Sequence, residues 1–167
     1  QTEPVKLAPV PSYGEVSWKT PIQKNAFEVP VSEKVELLLT ANGAAQKGGA
    51  SFANSNLFQV NEQKYFASTD GSYIDQDVHR IWPTITVSAI DRASGKFKTR
   101  DAMSAPMGMG WEYMIPKSED KLQGPAGMFL YRNSYDLIED ATTAARQVKD
   151  MITAKSVEPG KYDLVLE

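Results

Sequence analysis

The sequence of 167 residues contains no cysteine and only one histidine. Disulfide frameworks, thiolate metal sites and cysteine nucleophiles are therefore excluded within it. No run of apolar residues approaches the roughly 18 that a membrane-spanning helix needs. Basic residues are not in excess either, because 18 Lys and Arg stand against 21 Asp and Glu. That balance argues against a nucleic-acid-binding protein, in which a basic surface normally contacts the phosphates.

The composition that remains is typical of a folded domain. Hydrophobic residues make up 41% of the chain and charged residues 23%, as in ordinary globular proteins. A chain near this length buries roughly two-thirds of its extended surface on folding. The sequence therefore predicts a core that needs no disulfide to hold it together.

The first 30 residues carry five of the ten prolines. Proline cannot donate a backbone hydrogen bond, so this stretch predicts an extended surface arm over residues 1–30. Its expected apolar anchors are Tyr13, Trp18, Ile22 and Phe27. We expect an α+β domain over residues 31–167.

Two helices are predicted in that domain. The first spans about residues 32–46, with Ser32 as N-cap. The second begins after Ser134, also a candidate N-cap, and ends before Pro159-Gly160. Apolar residues recur through it at helical spacing: Leu137, Ile138, Ala141, Ala144, Val148, Met151 and Ile152.

Between the helices the period changes to that of strands. Residues 84–89 alternate strictly between hydroxyl-bearing and apolar side chains. Asp70-Gly71 is typical of a tight hairpin turn, and Asn61-Glu62-Gln63 is a weaker turn signal. The interpretation is strands near 50–60, 64–68, 72–90 and 96–101, with a bulge or bend at Trp82-Pro83, and a last short strand over 162–166. The predicted fold is α+β, an antiparallel β-meander with two main helices packed on it.

No catalytic or metal-binding constellation stands out. His79 shares a predicted strand face with Asp75 and Asp77, but alternate residues of a strand stand about 7 Å apart, too far to chelate one ion without a bend. We therefore interpret His79 as a surface histidine. Asp136, Glu139 and Asp140 begin the second helix, where acids favour the helix dipole.

The segment 101–131 holds five of the six methionines and has no regular period. Methionine adapts to irregular apolar partners. The segment is open to three interpretations: a lid, a peptide-docking surface, or a stretch that packs on the rest of a larger protein.

Several stretches together resemble the TldD/PmbA family of bacterial and archaeal proteins. The most specific is Phe66-Ala67-Ser68-Thr69-Asp70-Gly71-Ser72 within residues 64–76, which follows the family's aromatic–Ala-Ser-Ser/Thr-Glu/Asp-Gly-Ser pattern. The others, in the same order along the chain, are residues 18–22, 33–39, 110–113 and 157–166.

This resemblance implies a zinc metallopeptidase of two similar subunits that degrades or matures peptides in an enclosed chamber. The family's zinc ligands lie on a His-Glu-x-x-x-His helix and a later cysteine, and this sequence has neither motif nor cysteine. No catalytic residue, metal ligand or zinc ion is therefore assigned to these residues. The family's older label refers to DNA gyrase, but the charge pattern does not support contact with nucleic acid.

Our first hypothesis is that the chain is a non-catalytic N-terminal and central part of such an enzyme, truncated before the zinc motif. It would contribute to the substrate chamber and to assembly with the same or a related subunit. The candidate substrate- or partner-facing residues are Asp70, Gly71, Met107, Met109, Trp111 and Tyr113. Some family members carry secretion leaders, so the bacterial cytoplasm and the periplasm both fit the resemblance. The second hypothesis is a stand-alone peptide- or protein-binding module that uses segment 101–131.

Overall fold

The structure is a computed structural model that describes residues 8–123 and 129–164. Its strands, in chain order, are β1 Glu15–Lys19, β2 Phe52–Ala67, β3 Tyr73–Ile90, β4 Phe97–Asp101, β5 Lys121–Gln123 and β6 Phe129–Tyr131. Its longer helices are α1 Val31–Lys47 and α2 Leu137–Thr153. Short 3-10 turns lie at Ala26–Glu28, Trp111–Met114 and Ser118–Asp120. The predicted α+β class and the two main helices are confirmed.

A long antiparallel hairpin of β2 and β3 organises the sheet. The two strands pair from Phe52 opposite Ser88 to Ala67 opposite Tyr73. The chain reverses between them at residues 68–72, where Gly71 has a φ of 90° that favours glycine. The predicted Asp70-Gly71 turn is therefore confirmed. The weaker turn at 61–63 is wrong, because those residues lie inside the continuous strand β2.

The hairpin divides into two halves that we name by position. In the base half, residues 52–59 pair with 81–88; in the tip half, residues 60–67 pair with 73–80. Odd-numbered side chains of both strands point to the inner face, on which the helices pack, and even-numbered ones to the outer face.

The second edge of β3 is shared by three segments. β1 pairs with the tip half of β3 in parallel, from Glu15 opposite Tyr73 to Lys19 opposite Asp77. Met107 then bridges Ile81, and β4 pairs antiparallel with the end of β3. The sheet is thus mixed rather than a purely antiparallel meander, because β1 joins it in parallel. This edge strand comes from the proline-rich stretch, between Pro11 and Pro21.

Pro83 is accommodated inside β3 without a chain reversal. Ile81 exchanges both backbone hydrogen bonds with Met107, so the backbone groups of the alternate residue Pro83 face the same edge. At this edge the Pro83 nitrogen, which has no hydrogen, lies between the Met107 bridge and β4, where no described strand pairs with β3. The Ser104 hydroxyl donates to the Pro83 carbonyl. Proline in a strand is confined to such unpaired positions.

The core lies between the inner face of the base half and the two helices. Ile81, Ile85 and Val87 of β3 are buried on the side where α2 packs, and α1 packs beside it on β2. The helices approach closely through small residues: Ala41, Ala45, Ala141, Ala144 and Ala145, all fully buried. At Gly48 a Cβ atom would come within 2.7 Å of the Ala145 Cβ, so glycine is required there.

The helix starts differ from those predicted. Pro30, not Ser32, is the N-cap of α1 and provides no side-chain hydrogen bond. α2 is capped by Asp136, whose side chain accepts from the Glu139 N–H at 2.9 Å. Ser134 instead accepts from the backbone N–H of Lys117 at 2.9 Å, so it anchors segment 101–131 to the start of α2.

A buried ion pair fixes α2 to the sheet. Arg100 of β4 lies 2.6 Å from Asp140, and both side chains are almost fully buried. Asp140 also accepts from the Tyr135 hydroxyl at 2.5 Å and the Met103 N–H at 2.9 Å. Burial, together with the Asp140 carboxylate, raises the pKa of Tyr135, so this hydroxyl remains a donor.

The N-terminal region is held by its backbone more than by its aromatic residues. Ala26 and Val29 are buried, and of the four predicted anchors Ile22 is half-buried, whereas Tyr13, Trp18 and Phe27 are exposed. Residues 161–164 form no strand, and the rest of the predicted strand 162–166 lies outside the described residues.

In the part of the chain that the structure describes, no helix has the length and apolar character to cross a membrane.

Candidate functional site

The outer face of the sheet carries large exposed apolar side chains. Phe58 and Trp82, opposite each other on β2 and β3, contact with ring centroids 5.6 Å apart, yet Phe58 is 53% exposed. The other exposed members are Val16, Trp18, Phe52, Val60 and Phe66. No element among residues 8–123 and 129–164 covers this face. Apolar surface of this kind normally marks a site of contact with another molecule.

The inner face of the tip half is polar. It carries Asn61, Gln63 and Tyr65 from β2 and Asp75, Asp77 and His79 from β3. The Asn61 amide donates to the Asp77 carboxylate at 2.6 Å, and the His79 Nε2 lies 3.1 Å from the Asn61 Nδ2 and 3.4 Å from the Asp77 Oδ1. The inner face of the tip half is therefore polar, whereas its outer face is mixed: the apolar residues Val60, Phe66, Ile74 and Val78 lie beside Glu62, Lys64, Gln76 and Arg80.

His79 is buried rather than a surface residue, at 9% exposure. Thr20 covers its backbone, because the Thr20 hydroxyl accepts from the His79 N–H at 3.0 Å. Gly108 lies close by, since a Cβ atom on it would be 3.9 Å from the His79 carbonyl oxygen. The prediction of a surface histidine was wrong because the chain segments that follow β1 and precede Trp111 pass over this strand.

The residues described do not fit a catalytic zinc ion. Such a site takes three protein ligands from His, Cys, Asp or Glu and keeps one position open. Among the described residues, no group of three or more such side chains is arranged to hold a metal. Around His79 the nearby groups are one carboxylate and one amide. The three acids that begin α2 have separate partners: Asp136 caps the helix, Glu139 binds Lys121 and Asp140 binds Arg100.

Residues 110–112 fasten the N-terminal region to the domain. The Glu112 carboxylate accepts from the Lys24 N–H at 3.0 Å and the Gly110 N–H at 2.8 Å, and the Trp111 N–H donates to the Lys24 carbonyl at 2.7 Å. Burial alone would raise the pKa of Glu112, but these backbone donors outweigh it and lower that pKa. A Cβ atom at residue 110 would lie 2.2 Å from the Lys24 oxygen, so this stretch requires glycine.

A cleft of about 560 Å³ lies beside the start of α2. Its lining includes Lys121, Tyr131 and Glu139. Glu139 accepts from the Lys121 ammonium at 2.5 Å and from the Tyr131 hydroxyl at 2.9 Å. Burial and this hydrogen bond raise the pKa of Tyr131. The polar groups of the cleft thus bind one another and join β5 and β6 to α2.

The six predicted facing residues lie in three different environments. Asp70 and Gly71 are exposed at the hairpin turn. Met107 and Met109 are partly buried against the core, and Met107 is fixed to Ile81 by two backbone hydrogen bonds. Trp111 and Tyr113 belong to the core, at 4% and 2% exposure.

Sequence reasoning missed the outer face. Its residues lie on β1, β2 and β3, so no single stretch contains the pattern. A local signal did exist in Phe58-Gln59-Val60, where apolar residues flank a polar one. The charged residues Glu62 and Lys64 interrupt this alternation before Phe66, so the pattern does not extend along the strand.

Comparison with known proteins agrees with this architecture. The sequence model of one family, described as the PmbA/TldA metallopeptidase central domain, matches residues 24–152. No curated protein matches the chain. The matched region is thus the central domain of a metallopeptidase family. The match spans most of the sequence, and the chain belongs to the PmbA/TldD family, as the resemblance predicted.

Proposed function

We propose that this chain is a non-catalytic region of a PmbA/TldD-type zinc metallopeptidase that builds part of the substrate chamber and of the subunit contacts. The observation that carries the proposal is the two-sided hairpin. Its outer face carries large exposed apolar side chains, among them Phe58, Trp82 and Phe66, as a packing surface does. The inner face of its tip half is polar, as a wall facing water and peptide is.

In this proposal the zinc ligands come from other residues of the protein. The single histidine has one carboxylate near it, which is too few ligands for a catalytic zinc ion. Bound zinc would supply the Lewis acid and the activated water of peptide hydrolysis. The residues described here would place two features around that centre: the hairpin, and residues 110–112 with the N-terminal region that they fasten to the domain.

Metal analysis and peptide hydrolysis test the catalytic part of the proposal. We expect the 167-residue chain to bind no stoichiometric zinc and to cleave no unstructured peptide, and the full-length gene product to do both. His79→Ala should leave the zinc content of the full-length protein unchanged. Stoichiometric zinc in the 167-residue chain, lost on His79→Ala, would contradict the proposal.

The alternative, a stand-alone peptide-binding module that uses segment 101–131, makes a different prediction about the gene. If the reading frame after Glu167 encodes His-Glu-x-x-x-His within a few dozen codons, the metallopeptidase proposal is supported. A stop codon at that position supports the binding module. The fixed backbone of Met107 favours the first proposal, because a docking loop needs freedom to adapt to its peptide.

A further inference from the structure

The strand β2 has a free edge. β3 pairs with one side of it along all sixteen residues, and nothing in the described part of the chain pairs with the other side. On its other side, β3 forms backbone hydrogen bonds through its odd-numbered residues. The Asp77 carbonyl accepts from the Thr20 N–H, and Ile81 exchanges two hydrogen bonds with Met107. Its even-numbered residues therefore bond to β2, and the odd-numbered residues of β2 direct their N–H and C=O groups away from the sheet.

The tip half is the open part of this edge. Over the base half, α1 lies against β2: the Ser55 hydroxyl donates to the Leu38 carbonyl and the Lys34 ammonium donates to Gln59. Among the described residues, no hydrogen bond joins a helix to β2 past Gln59. Of the features by which natural proteins protect an exposed edge, the stretch lacks a proline and a bulge and carries one lysine, Lys64.

We propose that the tip half of β2 pairs antiparallel with the same strand of a second copy of the chain, with the two-fold axis at Gln63. The argument for a second copy is charge complementarity. The strand carries two charges, Glu62 and Lys64, which lie 3.3 Å apart within one chain, and Glu62 also lies 3.2 Å from Arg80 of β3. A two-fold antiparallel pairing extends this cluster across the axis, and it sets Glu62 of each copy opposite Lys64 of the other only if Gln63 lies on the axis. Val60 then lies opposite Phe66 of the second copy, which covers two of the exposed outer-face side chains.

This inference rests on the assembly part of the proposed function and names one surface for it. The backbone groups of alternate residues from Gln59 to Ala67 would gain hydrogen bonds, and the two sheets would become continuous. The hydrogen bonds between α1 and β2 involve Ser55 and Gln59, before and at the point where the proposed pairing begins.

Cysteine crosslinking tests the register against a background free of cysteine. In the proposed pairing, residue 63 faces its own counterpart with Cα atoms about 5.5 Å apart, within disulfide range. Ala67→Cys is the matched control, since it lies on the same exposed side of the same strand. Its counterpart would be roughly 26 Å away, eight residues along the partner strand.

We expect Gln63→Cys to form a disulfide-linked dimer under mild oxidation, at least ten times faster than Ala67→Cys. Equal rates, or no crosslinking of Gln63→Cys, would overturn the proposal. The proposal would also be overturned if Gln63→Cys formed crosslinks only with a subunit of different sequence and none with a second copy of this chain. None of these results depends on zinc or on peptide cleavage, so failure of the pairing leaves the metallopeptidase proposal to its own test.

Charge reversal provides a second test. Glu62→Lys or Lys64→Glu sets like charges opposite each other twice across the axis, and we expect the dimer dissociation constant to rise about tenfold. The double variant Glu62→Lys/Lys64→Glu restores the opposite charges and should recover most of the affinity in sedimentation experiments. A double variant as weak as the single variants would contradict this register.

Discussion

The base and tip halves of the β2–β3 hairpin have the same backbone pairing but opposite surroundings. In the base half, Ile81 and Ile85 lie fully buried under the helices. In the tip half, the same inner face carries Asn61, Gln63 and Tyr65, which are exposed, while His79, next to the base half, is buried. The hydrogen-bond ladder continues through both, so side chains alone decide which part of the sheet is covered. The base half is a structural core, and the tip half is available for contact with other molecules.

The largest difference between the halves should come from removing a carboxylate. Asp140→Ala would leave Arg100 buried without its partner beside the base half, and should cost about 3–5 kcal/mol in the free energy of unfolding. Asp77→Ala in the tip half should cost less than about 1 kcal/mol, because its side chain is partly exposed. Urea denaturation measures both. Equal losses would show that the two halves do not differ as described.

Apolar truncation sharpens the same comparison. Ile85→Ala removes a fully buried side chain in the base half and should lower the free energy of unfolding by about 2–5 kcal/mol. Ile74→Ala, on the outer face of the tip half, is the matched control. It should cost less than half as much, since Ile74 is only partly buried. A larger loss at Ile74 would mean that the tip half is folded into the core.

The contrast between the halves also explains how far the sequence predicts the structure. α2 was predictable because its apolar residues repeat at helical spacing and one face must be buried. The hairpin turn was predictable because Asp-Gly suits a tight reversal. Asn61-Glu62-Gln63 was misleading because polar residues in a strand with one open edge and no helix on its inner face resemble a turn.

Features that depend on distant residues could not be predicted in this way. β1 has no pattern of its own beyond five residues between prolines, and its position depends on pairing with β3. The burial of His79 depends on Thr20 and Gly108, which are distant in sequence. For the candidate site, the exposed turn was anticipated, whereas the outer face was not, because its apolar residues come from three strands.

The attachment of the N-terminal region should depend on pH. The folded-state pKa of Glu112 is lowered, so its contribution to stability is fully present above the unfolded-state pKa and is lost as the pH falls through the folded-state value. Glu112→Gln should therefore destabilise the chain by about 1 kcal/mol near pH 7, and the difference from the wild type should shrink in acid. Urea denaturation between pH 7 and pH 3 measures this. A difference that grows in acid would contradict the assignment.

The smallest effect on the isolated chain is expected on the outer face. In the 167-residue chain, measured as a monomer below the dimer dissociation constant, Phe66→Ser should change the free energy of unfolding by less than about 0.5 kcal/mol, because the side chain is then exposed. In the full-length protein the same substitution should cost several times more, since the proposed assembly covers this face. Thr69→Ala, in the exposed turn, is the control and should have a small effect in both proteins. If Phe66→Ser were equally mild in both, the outer face would not be a packing surface, and the tip half would differ from the base half only in lacking a cover.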